Sequence, residues 1–76
     1  MKGPREMTRR VLMDRRHIGF FKAILESYEE VAILTVVDGS RGIVELIYPE
    51  GARCDLERIM EDLSSNGILF REVQNV

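Results

Sequence analysis

The run Asp14-Arg15-Arg16-His17, followed by Ile18-Gly19, holds the densest group of chemistry-bearing side chains in the sequence. Two guanidiniums and an imidazole could grip a carboxylate at the entrance of a helix. Unpaired backbone N–H groups and the positive end of the helix dipole favour an anion at such a place. The competing reading is that Asp14 itself caps the helix and the basic pair is merely solvated. His17 is the only histidine and Cys54 the only cysteine. One chain therefore cannot assemble a zinc or iron–sulfur ligand set from them. Cys54 has no neighbouring pattern that would activate a thiolate, and reads as a small residue at the start of a helix. Asp38-Gly39-Ser40-Arg41-Gly42 combines glycine with a cation but lies between two apolar runs. A phosphate loop has Lys and Ser/Thr after its glycines and opens a helix. No catalytic constellation emerges, so neither an enzyme nor a cofactor is expected.

The elements that would position these residues follow from hydrophobic spacing. Residues 8–13 read as a short strand. From Arg15 to Glu29, Ile18, Phe21, Ile24, Leu25 and Tyr28 recur at helical spacing, with Phe20 widening the stripe. Val31 to Val37 is almost entirely apolar and β-branched, which predicts a strand. Residues 38–42 supply turn chemistry, and Ile43 to Tyr48 is the second arm of a hairpin. Pro49-Glu50-Gly51 ends that arm. Leu56, Ile59, Met60 and Leu63 form one helical stripe, with Arg58 and Asp62 spaced to pair on its far side. Asn66-Gly67 stops the helix, and residues 68–73 close the chain as a strand.

The order β-α-β-β-α-β is that of an α+β, ferredoxin-like sandwich. Right-handed crossovers place both helices on one face of a four-stranded antiparallel sheet, with the first and third strands central. A loose tail over residues 1–6 and a single domain over 7–76 are expected. At 76 residues and with 45% hydrophobic residues, the chain has room for one domain and too much apolar content for disorder. One cysteine excludes a disulfide scaffold. No apolar run has the length of a membrane span, and the start does not look like a secretory signal. These features predict a soluble, reduced, cytoplasmic domain.

Charge is split along the chain: residues 1–22 carry +5 and residues 23–76 carry −7. Such a division either marks an anion-binding segment or vanishes when the two parts fold together. The uncovered sheet face would present Ile43, Glu45 and Ile47 of the third strand and Ile33 of the second. An apolar patch of that kind predicts an interface, here a homodimer through the face or a strand edge. A small domain without disulfides or metal gains stability from such pairing. An interaction module using the same face on another protein is the alternative.

Some domains with this element order read RNA by stacking bases on aromatics of the third strand, after a basic-Gly opening. Arg41-Gly42 matches the opening, but the stacking positions hold Ile43 and Glu45, so no nucleic acid partner is expected. Enzymes of the acylphosphatase sort share the order but require an Arg-bearing loop after the first strand and a positioning asparagine. Asn66 and Asn75, the only asparagines, fall at a helix stop and a terminus.

In element order and length the chain resembles ACT-type regulatory domains. Those often carry Asp and then Pro-Gly between the first strand and first helix, where a small effector, frequently an amino acid, binds at a dimer interface. Asp14 and Gly19 match that pattern and the Pro is absent. The resemblance implies a small anionic ligand, such as an amino acid, held by Asp14, Arg15, Arg16, His17 and Gly19. Residues Ile18 to Tyr28 and Asp38 to Glu45 resemble more closely a small uncharacterised bacterial domain family. Its pattern is an Ile-aromatic helix ending in Leu-Glu-x-Tyr, an Asp-containing hairpin turn and a Gly-Ile/Val-Val-Glu strand.

Overall fold

The computed structural model describes residues 5–74. The chain runs through β1 (Glu6–Met13), a 3-10 turn (Arg15–His17), α1 (Ile18–Glu26), β2 (Ile33–Asp38) and β3 (Ile43–Pro49). A second 3-10 turn (Glu50–Ala52), α2 (Arg53–Ser65) and β4 (Phe70–Val73) complete it. The strands form one antiparallel sheet in the order β2-β3-β1-β4. This is the ferredoxin-like α+β arrangement, with β1 and β3 central as the element order requires.

Register decides which residues share a face, since directly opposed residues in an antiparallel pair point the same way. Val11 faces Val44 and Arg9 faces Leu46 across β1 and β3, and Leu34 faces Leu46 across β2 and β3. Phe21 and Leu25 of α1 join these residues in one core, together with Leu56, Ile59, Met60 and Leu63 of α2. Both helices therefore cover the same side of the sheet. The other side carries Thr8, Arg10 and Leu12 of β1, Ile43, Glu45 and Ile47 of β3, and Ile33 and Thr35 of β2.

Several boundaries differ from the sequence reading. α1 stops at Glu26, not Glu29, because the Ser27 hydroxyl donates to the Ile24 carbonyl at 2.6 Å and the chain then leaves helical geometry. Glu30 adopts φ 58°, a left-handed conformation uncommon for a side chain with a Cβ. Tyr28 consequently lies outside the helix, and Phe20 is turned to solvent instead of widening the buried stripe. β1 is longer than expected. Glu6 pairs with Pro49, and the Glu50 N–H donates to the Arg5 carbonyl at 2.8 Å. Of the expected tail, residues 1–4 lie outside the described residues. β2 starts two residues late and runs to Asp38, with a bulge between Val36 and Asp38. β4 is confined to four residues.

The expected helix stop is present. Gly67 takes φ 86°, the Ile68 N–H donates to the Leu63 carbonyl at 3.0 Å, and Asn66 Nδ2 donates to the Asp62 carbonyl at 2.7 Å. Asp62 is not ion-paired with Arg58 among the described residues.

Candidate functional site

The folded chain cancels its own charge split. Arg5 pairs with Glu50, Arg9 with Glu57 and Glu72, Arg10 with Glu45, and Lys22 with Glu26. Each of these cations comes from the basic first third and each acid from the remainder. Four of the seven cations of residues 1–22 are thus paired with acids of the rest of the chain.

At the mouth before α1, Asp14 does what a cap does. Its Oδ1 accepts from the Arg16 backbone N–H at 2.9 Å, and its two oxygens accept from the Arg16 guanidinium at 3.0–3.2 Å. The Arg16 side-chain bonds, aided by the backbone bond, hold the Asp14 carboxyl below the usual carboxylate range. The same contact raises Arg16. A carboxylate thus already occupies the place where an anionic ligand would be gripped. Arg15 and Gly19 are exposed, and a Cβ at Gly19 would meet nothing within 4 Å. His17 is the N-cap position of α1. Its side chain caps nothing, and its Nδ1 is buried without a hydrogen-bond partner. Of these five residues, Asp14 and Arg16 are joined by their side chains.

The uncovered sheet face is divided. Arg10 Nε lies 3.3 Å from Glu45 Oε2 in its middle, across the central strands. Ile43 is on this face by register but is only 4% exposed within one chain. Within one chain its side chain is thus covered and leaves little surface for a partner. Glu45, expected at the same interface, is engaged by Arg10. A polar depression of about 460 Å³ sits over Thr8, Arg10, Glu45 and Val73. Beside it, toward β2, the face turns apolar. Ile33 is 66% exposed, and it flanks a second depression of about 320 Å³ formed with Glu6, Glu30, Ala32, Ile47, Tyr48 and Pro49.

Besides Phe20, Tyr28 and Leu69, the exposed large apolar side chains lie on β2, one of the two sheet edges. Val36 is 50% and Val37 41% exposed, adding to Ile33. These side chains lie on both sides of the strand, Val36 being on the helix side opposite Val44. From Val31 to Val37 there is no charged residue, whereas the opposite edge, β4, carries Arg71 and Glu72. Soluble proteins guard edge strands with charge, proline or a cover, since unpaired N–H and C=O groups invite another strand. β4 follows that practice within its length, whereas β2 carries a charge only at its last residue, Asp38. The sequence reading named Ile33 of β2 together with Ile43, Glu45 and Ile47 of β3, with pairing through the face or a strand edge. The uncharged run from Val31 to Val37 becomes informative only once β2 is known to be an edge.

Residues 11–66 match the family described as a domain of unknown function, DUF4911. The chain belongs to that family. The matched span of DUF4911 starts within β1 and ends at the α2 stop, so it contains both helices and the whole hairpin, including the bare β2 edge. No curated protein and no solved structure matches the chain. Among the described residues of this DUF4911 domain, no three His, Cys, Asp or Glu side chains are placed to share a metal ion. No helix among them is long and apolar enough to cross a membrane.

Proposed function

We propose that this domain is a non-enzymatic self-association module that pairs through β2 to extend its sheet across two copies. The observation that supports this reading is the contrast between the edges: β4 carries Arg71 and Glu72 within it, whereas the only charge of β2 is its last residue, Asp38, preceded by apolar side chains exposed on both faces. Strand addition satisfies the backbone groups of the edge and buries those side chains in one step. A role as an effector-binding regulator, which the ACT resemblance implied, has less support, because Asp14 already holds Arg16. A reducing, cytoplasmic setting belongs to the same proposal, given an exposed free Cys54.

Sedimentation velocity tests it. The wild-type chain is expected to dimerise at tens of micromolar, an edge contact being smaller than a standard interface. Val36→Lys places a charge within the apolar run of β2 and is expected to give a monomer with an unchanged circular-dichroism spectrum. A wild-type chain that stays monomeric to several hundred micromolar would refute the proposal.

A further inference from the structure

The depression at the start of β2 has an apolar floor and two carboxylates at its rim, Glu6 and Glu30. Neither carboxylate is ion-paired among the described residues. An aliphatic stem ending in a cation is the side chain that fits such a shape. The hairpin turn presents one. Arg41 is exposed, and its side chain makes no ion pair among the described residues. Its backbone is fixed, with the Arg41 N–H donating to the Asp38 carbonyl at 3.2 Å and the Ser40 hydroxyl donating to Asp38 Oδ1 at 2.8 Å.

Two-fold antiparallel pairing of β2 with itself must keep opposed residues on a common face. The register in which Thr35 faces Thr35 does so and matches the exposed apolar residues. Ile33 then lies opposite Val37, and Leu34 opposite Val36, of the second copy. In that pairing the turn that follows β2 in the second copy, with Ser40 and Arg41, lies beside the turn that precedes β2 in the first, with Glu29 and Glu30. We infer that the depression at the start of β2 is the seat of Arg41 from a second copy, with its stem over Ile33, Ile47 and Pro49 and its guanidinium at Glu30 and Glu6. Symmetry makes two such seats per dimer. The inference rests on the β2-edge reading and adds to it the register and the charge that select a like copy over any other strand.

Charge reversal tests it through sedimentation equilibrium. Arg41→Glu and Glu30→Arg each place like charges at both seats. Glu30→Arg also exchanges one side chain with a Cβ for another at φ 58°, so the backbone burden there is unchanged. Each variant alone is expected to dimerise about tenfold more weakly or worse, as reversed close pairs do. An equimolar mixture regains opposite charges at both seats and is expected to return to within a few-fold of wild type. The inference is overturned if either variant pairs as tightly as wild type, or if the mixture does not recover. When that happens while Val36→Lys still abolishes pairing, the β2-edge reading stands and only the Arg41 seat is lost. A wild-type chain monomeric at several hundred micromolar removes both.

Discussion

Gly42 and Met13 lock the end of the hairpin onto β1. The Met13 N–H donates to the Gly42 carbonyl at 2.9 Å. Gly42 sits at φ 78°, and a Cβ built there would lie 2.0 Å from the Met13 carbonyl oxygen. That atom belongs to a central strand and cannot swing aside. Gly42→Ala is therefore expected to cost at least about 2 kcal/mol, combining a left-handed alanine with a displaced strand. Gly19→Ala is the opposing control, since its Cβ would meet nothing within 4 Å inside α1. Removing a helical glycine is expected to stabilise by about 0.5–1 kcal/mol. Urea midpoints of the two variants should move in opposite directions; a shift of the same sign would contradict this account of the turn.

That contrast also shows how far the sequence could be read. The stripe of Leu56, Ile59, Met60 and Leu63 is visible because helical neighbours are local, and all four are buried as expected. The hairpin and the element order are legible for the same reason, and the sheet order follows from chirality. What escaped are facts created by distance. Nothing in the sequence says that Gly42 touches Met13, or that Arg9 meets an acid 63 positions away. Ile43 is on the predicted face, yet whether a side chain on an open face is covered depends on its neighbours' shapes. The candidate site is legible only in part for a related reason. Which of the basic residues gain an acid partner is decided by folding, and β2 looks like a buried strand until its place at the edge is known.

Arg9 is the tie between β4, α2 and the sheet. It stands on the helix side of β1, bonded to Glu72 of β4 and at 3.2 Å to Glu57 of α2. Burial alone would lower its pKa, but the bond to Glu72 and the nearby charges of Glu72 and Glu57 raise it above its ordinary value. β4 has only four residues to hold it in place, so a side-chain anchor matters more there than on a long strand. Arg9→Ala is expected to cost about 1–2 kcal/mol, the two glutamates being half exposed and able to recover solvent. Amide exchange should accelerate in β4 more than in β2. Equal acceleration in both strands would show that Arg9 acts on global stability alone.

Acid should weaken the fold through two turns in particular. The Ser40 hydroxyl, followed by the backbone N–H of Arg41, holds Asp38 below its ordinary value of 3.8, as Arg16 does for Asp14. A depressed folded-state pKa favours the fold above the unfolded value, and that contribution is lost as pH falls through the folded one. Wild-type urea midpoints are therefore expected to drop as pH is lowered from 5 to 3. Asp14→Asn with Asp38→Asn keeps turn and cap geometry while removing both titrations. The double variant should show a smaller drop over that interval. An identical drop would assign the acid sensitivity to other carboxylates.

The Arg10–Glu45 pair keeps the open face from becoming one apolar sheet. At 3.3 Å and with both side chains about a third exposed or less, it separates Ile33 and Ile47 from Leu12 and Val73. Replacing a paired acid and base of this kind by aliphatic residues is commonly neutral or stabilising for the folded chain. Arg10→Leu with Glu45→Leu is thus expected to stay within about 1 kcal/mol of wild type in chemical denaturation. Its behaviour in solution should nevertheless change, because the two apolar halves would merge into a patch that discriminates poorly among partners. Light scattering is expected to show particles larger than a dimer, and Val36→Lys should fail to abolish them, since they would form through the face and not through β2. Arg10→Leu alone leaves Glu45 half-buried and without this partner, and is expected to cost about 1–3 kcal/mol. A double variant that remains dimeric through β2 would mean that the pair contributes no selectivity.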